Sequence, residues 1–231
     1  MTVGVLLAGS GVYDGSEIHE ATFTLLALEQ NGFEYVCFAP DKKQHHVINH
    51  LTGEEMDESR NVLVESARIA RGNIQSISKV KLKMLDGLVI PGGFGPAKNI
   101  TSWAFDGPSG EIDEDSKRVI VDMVAEGKPV AALCMSPTVI AKAFEGTGLQ
   151  LSLTVGTVDE PSPYDIQEVA DGMDSIGAKA EMKTINEICI DEDNKIITAP
   201  CYMMDATIEE VYNNAKMAVD KLCEMVKENN E

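Results

Sequence analysis

The sequence has little positive charge and no long hydrophobic run. Lys and Arg number 19 against 38 Asp and Glu, so the formal net charge is -19. An excess of negative charge repels nucleic-acid phosphates and anionic membrane surfaces. The apolar runs at residues 3–8 and 130–135 are far shorter than the roughly 18 apolar residues that a membrane-spanning helix needs. We therefore expect neither nucleic acid nor a membrane as a partner.

Histidine is absent after His50, and the cysteines follow no pattern typical of a metal site. None of the four histidines accompanies a cysteine at the spacing of a metal-ligand pair. An odd number of cysteines at irregular spacings is also unlike a disulfide framework or a zinc site. We expect no metal and five free thiols, at Cys37, Cys134, Cys189, Cys201 and Cys223.

The expected location follows from the free thiols and from the first residues. Free cysteines are typical of a reducing compartment. The first predicted strand begins at Val3, with no basic leader, apolar signal core or Arg-rich transit segment before it. These features predict a cytoplasmic protein.

Short runs rich in Val, Ile and Leu alternate with amphipathic stretches, a pattern that predicts an α/β fold with a parallel sheet. We interpret residues 1–231 as a single domain, because no linker or internal repeat interrupts the pattern. The first strand is not followed by a G-x-G-x-x-G motif, so no nucleotide cofactor is expected. The main predicted strands are residues 3–8, 33–38, 87–90, 129–133 and 196–199, and the main predicted helices are 16–31, 113–127, 136–144 and 208–228.

The segment at residues 40–56 interrupts the alternation. It contains His45, His46 and a Thr-Gly turn signal, which indicates an excursion from the sheet, such as a hairpin. A histidine pair can bind a metal, but exposed polar side chains are the better explanation, and we assign the pair no role.

Cys134 lies between a predicted strand and a helix that begins near Pro137. Unpaired N–H groups at a helix N-terminus favour a thiolate and lower the pKa of a cysteine, so Cys134 is the candidate nucleophile. The same groups can stabilise an oxyanion, with the Met135 N–H as one donor and Gly92 or Gly93 as the other. Taken singly, Cys134 would more often be a buried core thiol than a nucleophile, and the glycines are equally well explained as a tight turn.

Two motifs together resemble a known superfamily. Pro-Gly-Gly-Phe-Gly at 91–95 and Ala-Leu-Cys-Met-Ser-Pro at 132–137 are similar to the class I amidotransferase-like superfamily of PfpI-type proteases and deglycases. Segments across most of the chain resemble the ElbB family, also called isoprenoid-biosynthesis proteins with an amidotransferase-like domain. These segments are residues 11–20, 38–41, 47–53, 60–63 and 191–195.

The resemblance implies a flavodoxin-like three-layer sandwich with a mostly parallel central sheet. It also implies a nucleophile elbow at Cys134 and an oxyanion site from the amides of Gly93 and Met135. Glyoxalase III-like activity and a homodimer are expected on the same ground. The activity and the homodimer do not follow from composition or periodicity.

Amidotransferases and proteases of this superfamily use a histidine that follows the nucleophile. No histidine follows Cys134, so glutamine hydrolysis is disfavoured unless folding brings His19 or His50 close. The resemblance points instead to a carboxylate on the first helix. Glu17 and Glu20 are three residues apart and lie near one helical face, and we slightly favour Glu20. Acidic residues also occur in first helical turns for their favourable interaction with the helix dipole alone.

The leading hypothesis is cofactor-free conversion of a small dicarbonyl such as glyoxal to glycolate. Cys134 would form a hemithioacetal, and Glu20 or Glu17 would move the proton. The alternative is a thiol-based redox sensor or interaction protein without turnover. Cys201, which follows Pro200 at a predicted strand end, is then a candidate resolving cysteine, although simple packing also explains it.

Overall fold

A computed structural model describes residues 1–230 and contains nine β-strands and seven α-helices within that range. The strands are β1 (Thr2–Leu6), β2 (Glu34–Ala39), β3 (Ile74–Ser76), β4 (Gly87–Ile90), β5 (Val130–Leu133), β6 (Ser152–Gly156), β7 (Lys179–Met182), β8 (Cys189–Asp191) and β9 (Ile196–Ala199). The helices are α1 (Ile18–Gln30), α2 (Val62–Ile69), α3 (Trp103–Asp106), α4 (Glu114–Ala125), α5 (Pro137–Ala143), α6 (Ile166–Ser175) and α7 (Ile208–Asn229).

Seven strands form the central sheet in the order β3-β2-β1-β4-β5-β9-β8. Every neighbouring pair is parallel except β8 and β9, which are antiparallel. Strands β6 and β7 form a separate parallel pair. Every residue of β4, β5 and β9 is buried, as expected for a parallel sheet with both faces covered. The predicted α/β class with a mostly parallel sheet is confirmed.

The helices pack on the sheet through apolar stripes. Helix α1 packs against α7, and α4 packs against α5. Helix α7 begins at a capping box in which Thr207 and Glu210 satisfy each other's backbone N–H groups. Its buried residues recur at helical spacing, and one of them, Asn214, is polar.

The carboxyl ends of β1, β4, β5 and β9 lie side by side at one edge of the sheet. The chain proceeds from β1 to β2 on one side and later to β4 on the other, so this edge contains the topological switch point. Ligands of open α/β sheets bind in the crevice at such a point. The loops after β4, β5 and β9 therefore define the place to look for a functional site.

The predicted element boundaries are largely confirmed. Strands β4 and β9 occupy the predicted residues, whereas α1 begins two residues later than predicted, which leaves Glu17 as its N-cap. Helix α6 and a π-helical turn at Pro96–Ile100 were not predicted. In the 40–56 segment, Ile48 and Glu55 form an isolated antiparallel bridge, in line with the hairpin interpretation. Within the described residues, no helix is both long enough and apolar enough to span a bilayer.

Candidate active site

Cys134 occupies a strained elbow between β5 and α5. Its φ angle is +57°, a left-handed conformation that costs a non-glycine residue roughly 1–2 kcal/mol. The Cys134 N–H donates to the Ala199 carbonyl at 2.9 Å, and the Ser136 hydroxyl donates to the Pro91 carbonyl at 2.8 Å. These bonds to the neighbouring strands β9 and β4 hold the elbow and its thiol in place.

Cys134 is 5% exposed. Three hydrogen-bonding groups surround its sulfur. The backbone N–H groups of Gly93 and Met135 donate to it, and the Glu20 carboxyl bonds to it. Burial and the negative charge of Glu20 raise the pKa of the Cys134 thiol well above its ordinary value, although the two N–H groups act in the opposite direction. The prediction of a lowered cysteine pKa is wrong, because removal from water outweighs the N–H groups at the elbow.

Glu20 is fully buried and accepts two backbone hydrogen bonds. Its Oε2 accepts from the Gly92 N–H at 2.9 Å, and its Oε1 accepts from the Tyr202 N–H at 3.2 Å. Burial and the neighbouring Glu17 charge raise the pKa of Glu20 to about 8, against the opposing effect of these bonds and of Cys134. At neutral pH this carboxyl is therefore mostly protonated and able to donate to the sulfur.

Glu17 has a different place from Glu20. It is the N-cap of α1, and its Oε2 accepts from the Glu20 N–H at 2.7 Å. Its own N–H donates to the Gly92 carbonyl at 2.8 Å. Burial raises the pKa of Glu17 as well. Of the two candidate carboxylates, Glu20 bonds to the Cys134 sulfur, while Glu17 anchors the helix that carries it.

Gly92 and Gly93 leave no room for side chains. A Cβ atom on Gly92 would lie 2.3 Å from the Cβ of Cys134 and 2.6 Å from Oε2 of Glu20. Gly93 has a φ angle of +91°, which favours glycine. Because the Gly92 N–H bonds to Glu20, the two N–H groups at the sulfur are those of Gly93 and Met135.

Neither of the histidines considered in the sequence lines the cavity at Cys134. His19 is at the mouth of the site, with a side chain 47% exposed, and its Nδ1 lies 2.8 Å from the Tyr202 hydroxyl. His50 instead lies 3.9 Å from Asp14. The cavity at the cysteine and the Glu20 carboxyl is therefore lined by no imidazole, although Nδ1 of His19 lies 4.0 Å from Oε1 of Glu17.

The cavity above the sulfur is small and apolar. Its volume is ≈ 10 Å³, about the space that one water molecule needs. Tyr164 and Phe94 form an edge-to-face pair at its side, with ring centroids 5.7 Å apart. No cationic side chain is among the lining residues, which are Val12, Gly93, Phe94, Cys134, Met135, Tyr164, Tyr202 and Met203. Tyr164 and Tyr202 were not predicted, because Tyr164 lies in a loop and Tyr202 in a short 3-10 helical turn, and neither has a local sequence signal.

Cys201 is a second strained cysteine beside the first. It follows β9 with a φ angle of +45° and is fully buried. Strands β5 and β9 pair in register at Leu133 and Ala199, so the two cysteines end neighbouring strands. The Cys201 sulfur lies within hydrogen-bonding reach of the Cys134 N–H.

The other predicted thiols and the histidine pair lie outside this site. All five cysteines are free and buried. The ring of His45 stacks on Phe105 with centroids 4.1 Å apart, and His46 meets the same ring edge-on. Among residues 1–230, no three His, Cys, Asp or Glu side chains are grouped closely enough to hold a metal ion.

The fold and the site together define a class. An α/β sheet with a cysteine on a strand-to-helix elbow, next to a buried carboxyl, is the arrangement of the DJ-1/PfpI-like, class I glutamine amidotransferase-like superfamily. The fold alone is shared with Drosophila melanogaster DJ-1β, which is 16% identical and superimposes with a TM-score of 0.54 over 98% of this chain and 94% of the other.

Closer similarity is found among curated proteins and one solved structure. The human glutamine amidotransferase-like class 1 domain-containing protein 3 is 37% identical over 225 residues, which is 96% of this chain and 82% of that protein. The rat ES1 protein homolog is also 37% identical, with 83% of its length covered. An isoprenoid biosynthesis protein with an amidotransferase-like domain from Ehrlichia chaffeensis is 32% identical, with a TM-score of 0.86 over 96% of this chain and 98% of the other.

The chain belongs to the family of ES1 and glutamine amidotransferase-like class 1 domain-containing protein 3, and it has an ElbB-like fold. No family model matches the chain. These similarities confirm the superfamily that the motifs at Gly93 and Cys134 indicated.

The expected cytoplasmic location is contradicted by these relatives. The rat, human and zebrafish proteins are each named as mitochondrial. The expectation depended partly on free thiols, which indicate a reducing environment and do not distinguish one reducing compartment from another.

The raised pKa of Glu20 predicts a pH-dependent stability. A carboxyl with a pKa of 4.5 when unfolded and about 8 when folded stabilises the fold fully below pH 4.5, and this contribution is lost as the pH rises to about 8. Glu20→Gln removes the titrating group. Relative to this variant, the wild type should lose stability on the order of a few kcal/mol between about pH 5 and about pH 8.5, measured by urea unfolding.

Glu34→Gln, which changes an exposed residue on β2, is the matched control and should show no such divergence from the wild type. A constant difference between the wild type and Glu20→Gln across this pH range would contradict the assignment of a raised pKa to Glu20.

Proposed function

We propose that this protein is a cofactor-independent, glyoxalase III-type enzyme that converts glyoxal, or a similarly small dicarbonyl, to its hydroxy acid. The observation that carries the proposal is the contact between the buried Glu20 carboxyl and the Cys134 sulfur. This contact supports a role for Cys134 as the nucleophile and for Glu20 as the proton carrier. The donors at Gly93 and Met135 add a place for a developing oxyanion.

The reaction begins from the state in which Cys134 and Glu20 together hold a single proton. The Cys134 thiolate attacks one aldehyde carbon, and a C–S bond forms while the carbonyl π electrons move to oxygen. The N–H groups of Gly93 and Met135 stabilise that oxygen, and Glu20 gives it the shared proton. The product of this step is a hemithioacetal with Glu20 ionised.

Glu20 then acts as the base. It removes the proton from the former aldehyde carbon while the neighbouring carbonyl oxygen takes a proton, which gives an enediol; the proton held by Glu20 then goes to the neighbouring carbon and the hydroxyl of the hemithioacetal gives up its proton, replacing the one taken by the neighbouring oxygen, to become the thioester carbonyl. One carbon is thereby oxidised and the other reduced, which leaves a glycolyl thioester on Cys134. Water hydrolyses the thioester to glycolate and the free thiol, so glyoxal and water account for every atom and electron of the product.

The surroundings of the sulfur favour this reaction over amide hydrolysis. A leaving amine needs an acid in the position that a histidine occupies in amidotransferases, whereas His19 contacts Tyr202 at the mouth of the site. The cavity above Cys134 is small, and its lining has no cationic group. Both features support a small, uncharged carbonyl compound as substrate.

We predict that purified wild-type protein forms glycolate from glyoxal and that Cys134→Ala does not. Glu20→Gln should lower the rate by roughly 10²-fold or more, because the proton carrier is lost. Glu17→Gln should keep most of the rate, since an amide oxygen can still cap α1. The measurement is glycolate formation against time at matched protein concentration.

Cys223→Ala is the control, because it removes a buried thiol on α7 outside the site. Absence of glycolate with folded wild type would rule out the proposed reaction. A larger loss in Glu17→Gln than in Glu20→Gln would reverse the two carboxylate roles.

A redox sensor is the second candidate, and the position of Cys201 beside Cys134 favours it. A peroxide would take two electrons from the Cys134 thiolate, leaving a sulfenic acid and, in the case of hydrogen peroxide, hydroxide. The Cys201 thiol would then attack the sulfenic sulfur, forming an S–S bond and releasing water. Cys201 would be the resolving cysteine.

For this candidate we predict that hydrogen peroxide produces a peptide in which Cys134 is joined to Cys201, detected by mass spectrometry after digestion without reductant. In Cys201→Ala, the oxidised Cys134 should persist as sulfenic or sulfinic acid. Peroxide treatment that oxidises Cys134 in the wild type without joining it to Cys201 would refute the resolving role.

A further inference from the structure

Asn214 is a buried polar residue in the middle of the apolar stripe of α7. It is fully buried, as are Val211 and Ala215 on the same helix. A buried amide is unfavourable unless both its donor and its acceptor are satisfied. The hydrogen bonds of Asn214 therefore indicate what its presence in the stripe achieves.

Both ends of the Asn214 amide are bonded to backbone groups. Its Oδ1 accepts from the Cys201 N–H at 2.9 Å, and its Nδ2 donates to the Glu187 carbonyl at 2.8 Å. The second bond orients the amide, so that the oxygen faces the turn after β9. Asn214 is thus a rigid acceptor for one particular N–H group.

That N–H group belongs to the strained Cys201. With a φ angle of +45°, Cys201 is in a conformation that non-glycine residues rarely adopt and that surrounding contacts must maintain. The residue after it, Tyr202, donates its backbone N–H to Oε1 of Glu20 at 3.2 Å. The conformation at Cys201 therefore aims the next N–H at the carboxyl.

We propose that Asn214 is a positioning residue for the Cys134–Glu20 pair: it holds the turn at Cys201 and thereby keeps the Tyr202 N–H on the Glu20 carboxyl. Asn214 acts through the backbone, from a helix outside the cavity, and has no contact with the reacting atoms. The functional consequence of this positioning rests on the proposed role of Glu20 as proton carrier. The structural effect concerns only the hydrogen bonds of the Glu20 carboxyl.

The Tyr202 N–H stabilises the ionised form of Glu20. Loss of that bond should therefore raise the pH at which Glu20 releases its proton. The other titratable groups that interact with Glu20 come from α1, from the two strand ends and from two loops, and none of them is Asn214. They are Glu17, Cys134, Tyr164, Cys201 and Tyr202.

The test is an infrared titration of the protonated Glu20 carbonyl, identified by its absence in Glu20→Gln. Ordinary carboxyls are ionised well below neutral pH, so the band that disappears near pH 8 is that of Glu20. In Asn214→Leu its midpoint should rise by about one pH unit, the effect of losing one hydrogen bond to a carboxylate. A merely structural asparagine would leave the midpoint unchanged.

Thr198→Val is the matched control. Thr198 is fully buried on β9 and accepts from the Thr154 N–H at 2.9 Å, so the variant also removes one buried hydrogen bond near the same turn. Its midpoint should equal that of the wild type. An unchanged midpoint in Asn214→Leu, or an equal rise in Thr198→Val, overturns the proposal.

If Asn214→Leu does not fold, Asn214→Ala replaces it, with the same expected rise and the same overturning result. The titration needs no turnover, so it gives an answer whether or not glyoxal is the substrate. A raised midpoint without glycolate formation would support Asn214 and refute the glyoxalase proposal. Glycolate formation with an unchanged midpoint would support the glyoxalase proposal and refute the positioning role of Asn214.

Discussion

The Glu20 carboxyl joins the three loops that form the site. It accepts N–H groups from the segments after β4 and β9, at Gly92 and Tyr202, and it bonds to the cysteine that follows β5. The Gly92 bond is buried and the Tyr202 bond is partly buried, and buried backbone donors without partners are rare in folded proteins. A single side chain from α1 therefore determines how the loops at this edge of the sheet meet.

The site combines backbone strain with burial. Cys134, Cys201 and Gly93 all have positive φ angles, and hydrogen bonds to neighbouring strands and to α7 maintain them. Burial raises the pKa values of both Cys134 and Glu20. The proposed chemistry therefore starts from a proton that the sulfur and the carboxyl share, and not from a permanently ionised cysteine. In that proposal, the hydrogen bonds of the carboxyl contribute to the reactivity.

Local patterns were sufficient to predict β4, β9 and the elbow at Cys134, because buried strands and the helix after Pro137 have strong short-range signals. The choice between Glu17 and Glu20 stayed open, since helical spacing puts both near one face and the true start of α1 depends on Glu17 as its cap. The roles of Tyr202 and Asn214 depend on contacts between residues far apart in sequence. The lowered cysteine pKa was wrong because burial is a property of the assembled fold.

If Cys134 and Glu20 titrate as one unit, the pH dependence of Cys134 alkylation should differ between the wild type and Glu20→Gln. The rate is measured with iodoacetamide and peptide mass spectrometry in both proteins. The wild-type rate should rise with pH, level off near the Glu20 pKa of about 8 and rise again when the second proton leaves. Glu20→Gln should show one uninterrupted rise. Identical single-step profiles in the two proteins would contradict a shared titration of the pair.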